Sequence, residues 1–416
     1  MARTVNMTKT PWGSAPPADV GASPFADAQS SAIVRADSGA RSWIETAAQE
    51  ILATTYWFDP APRAGPYPVT VRFSGRRVDV EEPLQPGDHF VHDETIAEVI
   101  PGSGPVAVTA RVSDINPGLW VVTAQLQGPG RTTRGRRAHR TAEPLIGPGD
   151  SQYPLLPKLW RRWAPTTGAS FETAEPLHTH LAPFVRTPGI VPLSWVTLVT
   201  VGMAVAVTIQ YLLVARVHLA ATSVWISTLI AIVAGIIGAK AWYIVKHRRE
   251  HRFDGWCIQG FIVAASLTAL LFFTIQRQPT GTVLDVTAPG LMFGMAIGRL
   301  GCFFAGCCGG RMTASRWGVW SSDQRIGARR VPTQLLESAL ALSLGLATLA
   351  MDVGHGPMGG ALFVGALAAY TLGRQGILTL RTEPSQTRFA VPMSAVAAAA
   401  VLVIAFAVMV SAMVFA

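Results

Sequence analysis

Charged side chains are scarce in this chain: 14% of its 416 residues are Asp, Glu, Lys or Arg, against roughly 25% in soluble globular domains. Half of the residues are hydrophobic, and the two figures together exclude an ordinary soluble enzyme. Acidic residues are the scarcer sign, and only in the second part. Residues 1–192 carry 18 basic and 18 acidic residues, whereas residues 193–416 carry 16 and 7, so 16 − 7 = +9 resides entirely there. A basic surplus on an apolar chain suits membrane loops and anionic lipid head groups. No dense basic face on a soluble fold is present, so nucleic acid is not an expected partner. Four cysteines are too few for a disulfide framework. Residues 1–59 lack an apolar run of signal-peptide length, so export by a cleaved leader is not expected. No inverted repeat points to a transporter.

What is present divides the chain in four. Residues 1–60 are rich in Ala, Ser, Asp and Pro and read as a largely disordered segment with one helix over 42–56. Period-2 alternation then appears at Val69, Val71 and Phe73, at Val106, Val108, Ala110 and Val112, and at Leu119, Val121 and Thr123. Broken by Gly, Pro and Asp turns, it predicts a small all-β, sandwich-like domain over 61–128. The stretch Asp114-Ile-Asn-Pro-Gly-Leu-Trp120 is similar to the corner before a late strand in immunoglobulin-like and fibronectin type III domains, with Trp120 where those have Tyr. Residues 129–192 form a basic, Pro-rich linker that would leave the β domain separable from the apolar part of the chain. Its Lys158-Leu-Trp-Arg-Arg-Trp163 run suits a membrane interface. The β domain is a candidate for contacting another protein.

Residues 193–416 contain seven apolar stretches, 193–215, 219–245, 255–275, 283–308, 333–351, 358–372 and 391–414. Each is near the roughly 20 residues needed to cross a bilayer as a helix, so the fold class is a membrane all-α, seven-helix bundle preceded by the β domain. Ionisable groups in such spans mark function, and they are Asp285, Arg299, Glu337 and Arg374. Arg299 stands out, within Gly294-Met-Ala-Ile-Gly-Arg299-Leu-Gly-Cys302-Phe-Phe-Ala-Gly-Cys307-Cys308-Gly-Gly-Arg311. A guanidinium presents a fork of donors matched to phosphate, and glycines permit close approach to the backbone. The bland alternative pairs Arg299 with Asp285. The cysteines have three readings: small apolar packing residues, thiols activated by a nearby cation, or soft-metal ligands with Cys257.

At these residues the chain resembles the prolipoprotein diacylglyceryl transferase family, over about 189–405. Pro192-Leu-Ser-Trp195 is similar to the family's opening Trp motif, and Gly235 to Tyr243 to its Gly-Ala-Arg segment. Asp285 to Arg311 follows its Asp, Ala-Pro and Gly-Arg-x-Gly-Asn run. Arg330-Val-Pro-Thr-Gln334-Leu-Leu-Glu337 and Tyr370-Thr-Leu-Gly-Arg374, then Arg381, keep the later motifs. The resemblance implies an integral enzyme of a bacterial-type plasma membrane. It would move diacylglyceryl from phosphatidylglycerol to a lipobox cysteine, with the prolipoprotein signal peptide as second partner and no cofactor. Carried over by position, substrate binding falls to Arg299, Arg374, Arg330, Asp285 and Gly310.

The departures cluster on proton-handling positions. Gln259 stands where the family has a functional His, Val196 where it has Tyr, Cys302 Asn, Cys307 Glu and Leu378 Glu. The catalytic positions are therefore Gln259, Cys302 and Cys307, and a carboxamide accepts no proton near neutral pH. Two functions are open. One is a diacylglyceryl transferase acting on a cysteine thiol in lipoprotein biosynthesis. The other is a catalytically impaired membrane scaffold that keeps the head-group site. Basic loops at 246–252 and 311–330 would face the cytoplasm by the positive-inside rule, while the resemblance puts the same end outside.

Overall fold

The structure is a computed structural model that describes residues 50–80, 83, 85–127, 157, 159–160, 176–246, 257–382 and 390–415. The chain divides into units 1–41 and 42–416, and every described residue belongs to the second. Most of the expected disordered segment, the basic stretch 131–140 and most of 158–163 lie outside the described residues.

The sequence Glu-Ile-Leu-Ala-Thr-Thr-Tyr-Trp-Phe forms strand β1 (Glu50–Phe58), where a helix is expected. β-Branched and aromatic residues favour the pleated chain. Alternation is hidden because all but Glu50 are buried, which is how a strand covered on both faces reads. The other strands are β2 (Tyr67–Arg77), β3 (His89–Val99), β4 (Val106–Val112), β5 (Leu119–Gln127), β6 (Leu177–His178), β7 (His180–Leu181), β8 (Val319–Ser322) and β9 (Ile326–Arg330). They make two sheets, ordered β7-β1-β4-β9-β8 and β3-β2-β5-β6. Leu52, Phe58, Val106 and Val108 of the first sheet pack with Val71, Phe73, Trp120 and Val122 of the second in one core. The expected strands at 69–73, 106–112 and 119–123 all lie within these elements. Trp120 is fully buried, and its Nε1–H donates to the Asn116 carbonyl at 3.2 Å, tying the corner before β5.

The sheets do not end where the linker is expected. β6 pairs with β5 and β7 with β1, so the chain just before the first membrane helix belongs to the β layer. β9, which lies between membrane helices in sequence, pairs antiparallel with β4 through Ala107–Gly327 and Val108–Ile326. β4 has one ladder edge on β1, and its other edge takes backbone partners from β9 and from Arg325 just before it, whose carbonyl accepts the Thr109 N–H at 2.8 Å. Trp320 on β8 stacks on Trp57 at 5.3 Å between ring centroids, and its Nε1–H donates to the Pro105 carbonyl at 3.0 Å. Trp160, from the run read as a membrane-interface segment, packs against this pair. A separable β domain of residues 61–128 is thus corrected: strands from both sides of the expected linker share one sheet.

Seven helices follow in the described residues: α1 (Ser194–Arg216), α2 (Ala221–Lys246), α3 (Ile258–Ile275), α4 (Thr280–Ala305), α5 (Thr333–His355), α6 (Ala361–Leu378) and α7 (Ala390–Phe415). Five of them, α1, α2, α4, α5 and α6, are long and apolar enough to cross a membrane. The described apolar stretches of α3 and α7, Gly260–Ile275 and Ala395–Ser411, are shorter. α1 and α4 run antiparallel and close. A Cβ on Gly294 would lie 2.8 Å from the Gly202 carbonyl oxygen, and one on Gly202 2.6 Å from that of Gly294, so only glycine permits this contact. Ser338 Oγ donates to the Ala296 carbonyl at 2.8 Å and joins α5 to α4. The alternating helix directions bring the start of α1, the ends of α2, α4 and α6, and the start of α5 to the end of the bundle that carries the β layer.

Two outcomes test this junction. Trp320→Ala should destabilise the detergent-solubilised protein by about 3–5 kcal/mol, the usual cost of removing a buried aromatic, measured by chemical denaturation followed by intrinsic fluorescence. The second concerns Glu94, where burial would push the carboxyl up, but bonds from His92 (3.0 Å) and from the Arg325 guanidinium (Nε at 3.1 Å) hold it below the usual carboxylate range. With the folded value depressed, this stabilisation is complete above the unfolded value of about 4.3 and is lost as pH falls through the folded value. The unfolding midpoint should therefore drop between pH 5 and 3 in the wild type, and by less in Glu94→Gln.

Candidate functional site

Glu337 sits one turn into α5 and is fully buried. A lone carboxylate there would be costly, and it is held by two arginines from different elements. Arg299 Nε on α4 lies 2.8 Å from Glu337 Oε2, and Arg381, just after α6, places a terminal nitrogen 2.6 Å from Oε1. The side chains of Arg299 and Arg381 are 16% and 13% exposed. The ion pair engages the Nε of Arg299, and Tyr370 of α6 lies beside the same guanidinium. Arg374 lies one turn beyond Tyr370 on the same helical face, and its buried Nε has no hydrogen-bond partner among the described residues. Three arginines against one glutamate leave 3 − 1 = +2 in this region, a charge suited to a phosphate.

Backbone bonds from three segments set Arg381 in place. Arg311 N–H donates to the Leu380 carbonyl, Val331 N–H to that of Arg311, and Thr382 N–H to that of Gly309. Gly310 bridges Arg381 in this layer, and a Cβ on it would lie 2.2 Å from the Val331 carbonyl oxygen. Arg311 donates to the carbonyls of Arg381 and Thr379 at 3.2 and 2.6 Å. Arg330 is spent on the same layer: its guanidinium pairs with Asp323 at 2.6 Å and reaches the carbonyls of Gly310 and Ile326 at 3.3 and 3.2 Å.

α4 ends at Ala305, nearly two turns beyond Arg299. Gly306 is left-handed at φ 71°, a conformation that favours glycine; its N–H donates to the Phe303 carbonyl, and Cys307 N–H to that of Cys302 at 3.1 Å. Cys302 is buried, Cys307 half-buried and Cys308 exposed. Gln334 Nε2 donates to the Cys307 carbonyl at 2.8 Å and Thr333 Oγ1 to that of Cys308 at 3.0 Å, so the cysteine turn seats the first turn of α5. Among the described residues no group of three His, Cys, Asp or Glu is arranged to hold a metal.

The residues singled out from the sequence therefore separate. Arg299, Arg374, Cys302 and Cys307 lie at the β-layer end of the bundle, with Arg330 and Gly310 in its backbone scaffold. Asp285 lies fourteen residues before Arg299 on α4, about 21 Å away at 1.5 Å per residue. Fully buried, it accepts the N–H groups of Met358, Gly360 and Phe363 at 2.6, 2.8 and 3.1 Å. That carboxylate caps the positive N-terminal end of α6, and Arg299 pairs with Glu337, not with Asp285. Gln259 is the second residue of α3, and its side chain lies outside the described residues. Glu337 and Arg381 are the site residues that motif reading named without assigning. Their signal was present, since a carboxylate in an apolar span implies a cationic partner.

The prolipoprotein diacylglyceryl transferase family model matches residues 185–412. Phosphatidylglycerol–prolipoprotein diacylglyceryl transferase 2 of Clostridium perfringens is 28% identical over 171 residues, 38% of this chain and 66% of that protein. The phosphatidylglycerol–prolipoprotein diacylglyceryl transferase of Nostoc sp. is 31% identical over 188 residues, 39% of this chain and 62% of that one. That of Tropheryma whipplei is 29% identical over 189 residues, 41% and 70%. The matched stretch spans just under two thirds of the first two relatives' own length. With more than half of the chain matched, and Arg299, Glu337 and Arg381 all inside the match, this chain belongs to the prolipoprotein diacylglyceryl transferase family.

Proposed function

We propose that this protein binds phosphatidylglycerol at the Arg299–Arg374–Arg381 cluster and transfers its diacylglyceryl group to a cysteine thiol in lipoprotein biosynthesis. All seven helices of residues 193–416 then cross a bacterial plasma membrane, and the lipobox region of a prolipoprotein is the second substrate. The observation that carries the reading is the surplus of buried arginine over glutamate around Glu337. A phosphate completes that charge balance. As the acceptor thiolate attacks the glycerol carbon, the C–O bond to phosphate breaks and glycerol phosphate leaves; the guanidinium groups of Arg299 and Arg374 stabilise the departing charge. Arg381 is held by Glu337, and Arg330 and Gly310 act by holding the backbone around it. The thiol proton needs an acceptor, which Gln259 cannot be; Cys302 and Cys307, in the turn after Arg299, are the groups offered in its place.

A second reading is a lipid-binding scaffold that keeps the head-group site without turnover. It is favoured by the replacement of His, Tyr and Glu at Gln259, Val196 and Leu378, since general-base catalysis contributes about 10²- to 10⁴-fold. In it the β layer offers a surface to a protein partner.

Charge-assisted bonds to phosphate contribute roughly 1.5–3 kcal/mol each, so Arg299→Ala should lower phosphatidylglycerol occupancy about tenfold or more in native mass spectrometry. Equal occupancy in both proteins would remove the site. Complementation of a strain depleted of its own diacylglyceryl transferase separates the two readings. The transferase reading expects rescue by the wild type and none by Arg299→Ala. The scaffold reading expects rescue to need Gln259→His at least.

A further inference from the structure

The cysteine turn has a chemistry that phosphate binding does not use. The two bonds Cys307 N–H to Cys302 carbonyl (3.1 Å) and Gly306 N–H to Phe303 carbonyl (3.4 Å), around a left-handed Gly306, are those of a Schellman motif. In that motif the third residue from the helix end and the second beyond it bring their side chains together. Here these are Cys302 and Cys307. With ordinary backbone bond lengths, the 3.1 Å bond caps their Cα separation at about 7 Å, the outer reach of a disulfide. The Cys307 Sγ lies 3.7 Å from the Cys302 carbonyl oxygen, folded back over that residue, and the thiols of Cys302, Cys307 and Cys308 all interact. Cys308 differs from both. It is exposed, its backbone is left-handed at φ 59°, and its carbonyl is bound by Thr333.

We infer that Cys302 and Cys307 are a reversible thiol–disulfide pair that locks the end of α4, with Cys308 as the exposed thiol that first meets the oxidant. The oxidant is a small-molecule disulfide. The Cys308 thiolate attacks one of its sulfurs, breaking the S–S bond and releasing one thiol. Cys307 displaces the mixed disulfide onto itself and regenerates the Cys308 thiol, and Cys302 then attacks Cys307, releasing the second small thiol. The balance is two protein thiols and one small disulfide giving one protein disulfide and two small thiols: two electrons pass to the oxidant's sulfurs, and the two thiol protons end on the released thiols. A pair formed by the neighbours Cys307 and Cys308 would close a strained eight-membered ring, whereas the helix-end geometry brings Cys302 and Cys307 together. The lock bears on the site because Gln334 and Thr333, in the first turn of α5, bind the carbonyls of Cys307 and Cys308, and Glu337 follows one turn later. This inference stands whether or not the site turns over substrate.

The test uses the full chain in detergent, reduced, freed of reductant, treated with glutathione disulfide, then denatured and alkylated with N-ethylmaleimide. The expected product takes up two alkyl groups in place of four, carries no glutathione, and links Cys302 to Cys307 in peptide mapping. Its unfolding midpoint should rise on oxidation and fall back with reductant. Cys302→Ser should show no rise and end as a glutathione adduct. Cys308→Ser should form the same link several-fold more slowly. Four alkylated cysteines after oxidation, a lasting glutathione adduct on the wild type, or a link between any other pair would overturn the assignment. A midpoint that does not move while the link forms would overturn the lock.

Discussion

One buried carboxylate organises this end of the protein. Glu337 has no exposure to water, and in an apolar bundle its charge is tolerable only with close counter-charges. Two arginines meet it, one from the body of α4 and one from the chain after α6. Three helices that are separate in sequence are thereby tied at a single point. Because the arginines outnumber the carboxylate, the tie leaves an unsatisfied positive field facing the end of the bundle. Loss of Glu337 would leave two buried cations without a partner, so the same residue serves stability and electrostatics.

The β layer is built into this closure. β9 supplies the second edge of β4, Trp320 stacks on Trp57, and Arg325 pairs with Glu94. β9 also ends in Arg330, whose guanidinium holds Gly310 and Asp323 in the backbone layer that sets Arg381. A mechanical path of paired strands and charge-assisted bonds therefore runs from the core of the N-terminal sheets to the arginine cluster. Of the arginines in the loop between α4 and α5, Arg311, Arg325 and Arg330 are engaged inside the fold. Their number is a poor guide to membrane orientation, because a loop arginine held by a carboxylate or carbonyl is explained by that contact.

At the opposite end of α4, Asp285 shows how position decides the role of a charged group in an apolar span. It carries as much formal charge as Glu337 and is as fully buried. Its partners, however, are three backbone N–H groups at the start of α6, which stabilise the carboxylate without any formal charge of their own. One carboxylate caps a helix and the other anchors cations.

Composition and apolar length alone marked the helices of residues 193–416, five of which are long and apolar enough to cross a membrane, since a helix satisfies its own backbone in lipid. Every expected span overlaps a helix, and the motifs marked Arg299, Arg374 and Arg330 as the cationic set, of which Arg330 is engaged with Asp323 and backbone carbonyls, while Arg381 was named without a role. Alternation marked β2 and β5, whose faces differ in exposure, and β4, whose residue types alternate although Val106 to Ala110 are all buried; it missed β1, which is buried on both faces and has no such alternation. Only the tertiary structure decided who meets whom. That Arg299 pairs with Glu337 and not Asp285, that Arg330 clamps backbone, and that a strand between α4 and α5 completes a sheet begun at residue 50 are long-range facts. Local sequence carries the demand for a partner, an open strand edge or a buried charge, but only the packed helices and sheets bring one particular partner within 3 Å.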